Sequence, residues 1–387
     1  MNESSARAVT RRALLGAGAA TAALATTAAA PAAASGHRTP RSNTHVVLLG
    51  TAGGPSLLQG SDRHGISSAV VVGDRYYLVD AGHGIYHQLL KARLGNWNKL
   101  PAEPLDGLRA VFLTHLHSDH VSDLATLFTS GLFAGLDRAD PPVQLIGPGD
   151  RGVLPPVFGG VPEPAIVAPE EPTPGTTAMW HHLIRAFATD YNDRSRDNGK
   201  PSPHNLVEAH DIVLPSELAA DPNGTPHPAM NPIDVYEDDR VKVTGILVQH
   251  APIFPAFAFR FDTEDGSVVF SGDTSPSDNL IRLADGADVL LHEVMSVAAV
   301  EEGFPKPRTP QQEGLVQHLL SAHTSIEDVG PVAERAGAKK LVLHHFVPPH
   351  RPEREWRNAQ KGFSGRLIVG QDLDVINVGT GRSRGQR

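Results

Sequence analysis

Three histidines and an aspartate crowd into one short run, His115-Leu-His117-Ser-Asp119-His120, directly after the apolar stretch Leu108-Arg-Ala-Val-Phe-Leu113. Buried polar groups each need a partner, and this many at a strand-to-loop junction need more than neighbouring side chains usually offer. A divalent metal satisfies all of them at once. Nitrogen and oxygen donors at this density suit zinc first, and the same ligand types accept manganese, iron or cobalt. Side chains alternate along an extended segment, so His115 and His117 point the same way, while Asp119 and His120 lie past the bend and can face a second ion.

A second ion needs further ligands, and the chain offers them singly at the ends of apolar stretches. Val241 to Gln249 runs into His250, Ser267 to Gly272 into Asp273, and Lys340 to Leu343 into the pair His344-His345. Strand ends are where a rigid scaffold presents chemistry to its loops.

Hydrophobic periodicity predicts strands at about 44–50, 67–73, 75–79, 108–113 and 143–146, with helices near 84–94 and from about 120. A second half repeats the pattern with strands near 241–249, 257–262, 267–271, 287–292 and 340–344 and helices near 311–321 and 326–336. Two sheets covered outside by helices accommodate this order. Between the halves, residues 150–176 read as loop, Thr177–Asp190 as helix and Asn192–Pro203 as polar loop again. An excursion of this length often forms a substrate wall. Trp180, His181, His182, Tyr191 and Arg194 stand either at the mouth of the site or in packing and surface roles.

The N-terminus carries Thr10-Arg11-Arg12-Ala-Leu-Leu15, an Ala-rich run and small residues around Ala34, the pattern of a twin-arginine export signal. The expected organisation is a signal at 1–34, a linker at 35–43, one hydrolase domain at 44–380 with an insertion at about 150–235, and a flexible tail at 381–387. The expected destination is secreted or in the periplasm and cell envelope. No segment reaches the ~20 apolar residues of a stable membrane span. The chain holds 34 Lys and Arg against 43 Asp and Glu, a net charge of −9. Nucleic-acid affinity comes largely from clustered cations, so this balance argues against a long RNA partner and leaves a small anionic ester open.

The run His115-Leu-His117-Ser-Asp119-His120 resembles the His-x-His-x-Asp-His motif of the metallo-β-lactamase superfamily, and the later motifs follow in the family's order. The resemblance implies an α/β fold, an αββα sandwich of two mixed sheets flanked by helices. It implies one metal on His115, His117 and His250, another on Asp119, His120 and His345, and Asp273 between them. His345 is preferred to His344 because the family's ligand directly precedes an aromatic residue, here Phe346. Leu48-Leu-Gly-Thr-Ala-Gly-Gly-Pro55, Arg63 with Ser67-Ser68, Tyr77-Leu-Val-Asp80-Ala-Gly82, Ser271-Gly-Asp-Thr274, His292-Glu293 and Ala322-His-Thr324 are similar to the ribonuclease Z branch. Its exported arylsulfatase-like group is the nearest in pattern. The branch's Ser-x-Arg-Tyr tail is replaced here by Phe346-Val-Pro-Pro-His-Arg351, no basic Gly/Pro-rich arm is evident, and the absence of cysteine sets aside the Cys-ligand pattern of many β-lactamases.

His323 precedes a helix start whose Ser325 and Asp328 match the first and fourth positions of a capping box. The resemblance places Glu293 against it, so that Glu293 holds His323 as a general acid. It also makes Asp80 a support behind the metal ligands, with Thr274 in a similar role. The expected function is an exported dinuclear zinc hydrolase of small sulfate or phosphate esters, with metal-activated water as nucleophile, Asp119 orienting it and His323 protonating the leaving group. Lactone or carboxylic-ester hydrolysis comes second, tRNA 3′ cleavage third and metal binding without turnover last. The expected partner is a small-molecule ester, and the family's habit implies a homodimer.

Overall fold

The computed structural model describes residues 43–55, 60–157 and 162–379. The twin-arginine segment, nearly all of the linker and the tail from 380 lie outside the described residues. In chain order the strands are β1 (Thr44–Gly50), β2 (Ser67–Val72), β3 (Arg75–Val79), β4 (Leu108–Phe112), β5 (Val143–Pro148), β6 (Val207–Ile212) and β7 (Ile233–Glu237). There follow β8 (Val241–Leu247), β9 (Phe257–Thr263), β10 (Gly266–Phe270), β11 (Val289–Met295), β12 (Lys340–Val347), β13 (Arg366–Val369) and β14 (Val375–Asn377).

Among the described residues they form two seven-stranded sheets, ordered β14-β1-β2-β3-β4-β5-β6 and β13-β12-β11-β10-β9-β8-β7. Both are mixed, and in the same way. An antiparallel run, β1 to β3 or β7 to β10, hands over to parallel strands, β4 to β6 or β11 to β13. The helix-flanked sandwich expected from the sequence is the observed fold.

Period-two alternation explains the layers. In β1, Val46 and Leu48 enter the core between the sheets, while Val47 and Leu49 face the helices outside. Phe112 of β4 meets Phe259 and Phe261 of β9 across the interior, with ring centroids 5.6 and 5.2 Å apart. The outer face of the first sheet is covered by helices Ile85–Ala92, Leu124–Gly131 and Thr176–Ala186 through Leu89, Phe128 and Trp180. Apolar side chains buried on both faces make these strands the part of the fold that sequence pattern reads best.

Two departures concern the middle of the chain. Asn192–Pro203 was expected to be a polar loop, yet a second helix, Ala188–Asn198, follows directly on Thr176–Ala186. Tyr191 anchors it and the Asp190–Arg194 ion pair at 3.2 Å spans one turn, so a single buried ring suffices where no apolar stripe exists. The segment 150–235 also contains β6, which adds to the first sheet, and the start of β7, which adds to the second. Among the described residues no helix is long and apolar enough to cross a membrane.

Candidate metal centre

The site forms where strands of both sheets end. His115, His117, Asp119 and His120 follow β4, His250 follows β8, Asp273 follows β10, and His345 lies in β12. The last placement depends on a bulge. His292 pairs with Leu343 and Val294 with Phe346, so two residues, His344 and His345, oppose Glu293 alone. The extra residue re-aims the chain. His345 takes φ of 47° and turns into the site, whereas His344 is buried beside Phe270. Gly53 makes room for it, since a Cβ there would stand 2.5 Å from His345 Nδ1.

The side chains gather into two clusters. In one, His117 Nδ1 lies 3.0 Å from His115 Nε2 and 3.5 Å from His250 Nε2. In the other, Nε2 of His120 and of His345 are 3.3 Å apart, and each is 3.5 Å from Asp119 Oδ2. Asp273 stands between: Oδ1 is 3.4 Å from His120 Nε2 and 3.1 Å from His345 Nε2, while Oδ2 is 3.8 and 3.9 Å from Nε2 of His115 and His250. Donor atoms held tetrahedrally about 2.1 Å from one ion would lie about 3.4 Å apart. The observed spacing fits that arrangement. Three ring nitrogens converging on one point cannot all be satisfied by protons, and Asp273 Oδ1, although buried, has no hydrogen-bond partner.

Three of the rings are oriented from behind. His120 Nδ1 bonds Asp80 Oδ2 at 2.9 Å, and Asp80 Oδ1 accepts the Thr114 amide at 2.8 Å. His250 Nδ1 donates to the Ala322 carbonyl at 3.0 Å, and His115 Nδ1 meets the Thr114 hydroxyl at 3.2 Å. These contacts leave Nε2 of all three rings turned inward, as metal-ligating histidines require. Asp80 itself sits at φ 62°, a second non-glycine residue in the left-handed region. Thr274 ties the loops together: its amide donates to Glu293 Oε1 at 2.5 Å, its hydroxyl accepts the Gln249 amide at 3.1 Å, and its carbonyl accepts the Thr324 hydroxyl at 2.5 Å.

Electrostatics divide the clusters. Burial lowers the pKa of His115 and His250 well below the usual range, and that of His117 to a lesser degree, so these rings stay neutral with free lone pairs. Burial alone would also lower His120 and His345, but Asp273 raises both, helped by Asp80 and Asp119 at His120 and by Asp119 and Glu293 at His345. Burial opposes ionisation of Asp273 too, yet His345, His120 and His115 hold its carboxyl well below the normal carboxylate range.

Beside the clusters, His323 Nδ1 bonds Glu293 Oε2 at 2.8 Å, with its ring stacked at 16° on that of His345. Burial works against its charged form, but Glu293 outweighs burial and pushes the pKa up to about 9. The Ser325 hydroxyl caps helix Ile326–Arg335, accepting the Asp328 amide and fixing the backbone next to His323. Sequence reasoning missed two contributors, Thr114 and His318, and named Gly54 only within the stretch 48–55. Thr114, directly before the motif, joins Asp80, His115 and His120 through one hydroxyl. The Gly54 amide donates to Asp119 Oδ2 at 2.9 Å. His318 lies 5.9 Å from His250 and 6.2 Å from His323 between ring centroids, and its position five residues before His323 on a helix was the available signal.

The residues offered as a mouth do not form one. Trp180 and Tyr191 are 2% and 8% exposed and pack in the outer core, with Trp180 against Phe128. His182 pairs with Glu171 on the surface, Arg194 lies over Phe133 and His181 lies near His204. The middle segment reaches the site through Thr173 and Pro174 instead, which line a cavity of about 190 Å³ next to His117. A Trp or Tyr at helical spacing buries its ring where apolar neighbours are, and here those neighbours lie outside the first sheet.

Comparison with known proteins bears on what such a site does. The sequence profile of the metallo-beta-lactamase superfamily matches residues 62–318. The ribonuclease Z of Mycobacterium bovis (strain BCG / Pasteur 1173P2) is 30% identical over 336 residues, covering 86% of this chain and 98% of that relative. The ribonuclease Z of Mycobacterium sp. (strain KMS) is 31% identical over 340 residues, covering 87% and 96%. The crystal structure of the short form of human tRNase Z aligns with a TM-score of 0.54 at 18% identity, over 87% of this chain and all of that one, which shows the shared fold.

These relatives overturn the order of functions read from the sequence, which put small sulfate or phosphate esters first, lactones or carboxylic esters second and tRNA cleavage below them. Proteins alike over nearly their whole length are ribonucleases Z. The exclusion of nucleic acid as a partner falls with that order. Its premise was net charge, which averages over the whole surface, whereas a polyanion meets one face and responds to the local field there. A fold of this family implies divalent metal ions, and the donor sets of both clusters fit them. The chain belongs to the metallo-beta-lactamase superfamily, in its ribonuclease Z-like branch.

Proposed function

We propose that this protein is a zinc-dependent phosphodiesterase that cuts RNA in the manner its ribonuclease Z relatives are named for, with one zinc ion in each cluster. The observation that carries the reading is the convergence of the ligand set on Asp273, one carboxylate oxygen toward each cluster, in a chain alike over 86% of its length to a ribonuclease Z. Zinc in these positions would supply Lewis acidity toward phosphoryl oxygens and water.

The chain's own residues supply position and protons. Asp119 is held by the Gly54 amide and by its place between His120 and His345, so its carboxylate is fixed toward the reacting centre. Because Glu293 occupies His323 Nδ1, Nε2 is the nitrogen left to carry a proton to the departing ribose oxygen. The Glu293 contact favours the charged imidazole that such a donor needs.

Zinc-loaded protein incubated with a 3′-extended tRNA precursor should yield a shortened product, and no cleavage at stoichiometric metal would refute the reading. His323→Ala should slow RNA cleavage by about 10²-fold or more while leaving metal content unchanged. The same variant should be much less impaired on bis(p-nitrophenyl) phosphate, whose leaving group departs without a proton. Export by the twin-arginine route belongs to the same proposal. It predicts that Arg11→Lys with Arg12→Lys retains the protein inside the cell, and unchanged export of that variant would count against it.

A further inference from the structure

Arg151 is the cation that the site as described leaves unused. It follows β5 and reaches across the loop beyond His250, where its guanidinium donates from Nη1 to the Pro252 carbonyl at 3.0 Å and from Nη2 to Asn223 Oδ1 at 2.6 Å. Its Nε is buried and unpartnered, and among the described residues no carboxylate lies within ion-pair distance of it. Arg63, Arg109 and Lys340 are likewise half-buried and bond to carbonyls or a hydroxyl without an ion pair among the described residues, but of these cations Arg151 is the one that lines the cavity beside His117. Burying an unpaired charge is unfavourable unless an anion completes it.

The surroundings say what kind of anion. Arg151 lines the cavity of about 190 Å³ that opens beside His117, and the other walls are largely apolar, with Leu116, Ile253, Phe254 and Pro255 among them. Phe254 and Pro255 are buried and set on the loop that follows His250, so this wall is fixed relative to the clusters. A flat apolar wall next to one unpaired guanidinium matches a nucleotide, with its base against the wall and its phosphate on the cation.

We propose that this cavity binds the nucleotide adjoining the scissile bond and that Arg151 holds the phosphate on that nucleotide's far side. The inference rests on the RNA-cleaving reading above and adds a specificity-determining residue to it. Arg151 sets which linkage is cut by engaging a phosphate that does not react, so its loss weakens binding of the substrate and spares the chemical step.

The test uses the zinc-loaded protein and oligoribonucleotides in which one linkage at a time is replaced by an uncharged methylphosphonate. In the wild type, one neighbouring replacement should raise KM about tenfold with kcat unchanged, the loss expected when a charge-assisted contact is removed. Arg151→Met should raise KM for the unmodified RNA by the same factor and be indifferent to that replacement, while Arg151→Lys should recover part of the loss. On bis(p-nitrophenyl) phosphate, which has a single phosphate, Arg151→Met should match the wild type. RNA cleavage that is indifferent to Arg151, or equal losses on both substrates, overturns the inference and leaves the function standing. A wild type that cuts no RNA overturns both.

Discussion

The two clusters are built from different materials. His115, His117 and His250 form a triad of neutral rings, whereas Asp119, His120 and His345 mix a carboxylate with rings whose protonation the nearby aspartates favour. The triad is oriented mainly by neutral groups, the Ala322 carbonyl and the Thr114 hydroxyl, while the mixed cluster is braced by the buried Asp80 carboxylate. A dication gains more from the charged cluster, and a neutral triad leaves more of its ion's charge for a ligand. The difference teaches that the pair is asymmetric: one position is suited to hold, the other to attract an anion.

Losing the shared member should abolish the distinction. Asp273→Ala is expected to lower turnover by at least about 10³-fold and to deplete metal from both clusters, as measured by elemental analysis. Single-cluster changes should then separate them. His250→Ala and Asp119→Ala should each cost about one equivalent of metal, with the residual ion held more tightly in His250→Ala than in Asp119→Ala by competition with a chelator; the opposite order would break the asymmetry. Asp80→Ala should weaken binding by about 10–100-fold in the mixed cluster and leave the triad's affinity in place, so that the two phases of a chelator titration draw together. Thr114→Val, which removes a hydroxyl shared by both clusters, should weaken both by a similar and smaller factor, about tenfold at most. A shift confined to one cluster would show that the hydroxyl serves that side alone.

What the sequence made legible follows from burial. The strands anticipated from periodicity, β1 to β5 and β8 to β12, are the interior strands of the two sheets, and the ones missed, β6, β7, β13 and β14, are their edges. An edge strand has one neighbour and less apolar surface to cover, so β6 reads Val-Glu-Ala-His-Asp-Ile with Glu208 and His210 exposed and leaves little periodic signal. The ligand positions were legible because each polar residue interrupts an apolar run. Arg151 was not, because a cation after a strand looks like any surface residue until its missing counter-charge is seen in three dimensions. The bulge at His344-His345 was equally invisible. The resemblance pointed to His345, and what turns that ring rather than His344 toward the cluster is a backbone register that local sequence does not encode.

The Asp273 bridge has a consequence for how the chain assembles. His115 to His120 are neighbours in sequence, but His117 and His250 are 133 positions apart and His120 and His345 are 225 apart. Closing such long loops is entropically unfavourable, and the loss grows only slowly with length. An ion captured first by the local run would give the later strands a fixed point to find, so metal supply during synthesis would set the folding route as well as the activity. Chain made without metal and loaded afterwards should therefore reach the native state by a slower path than chain folded in its presence.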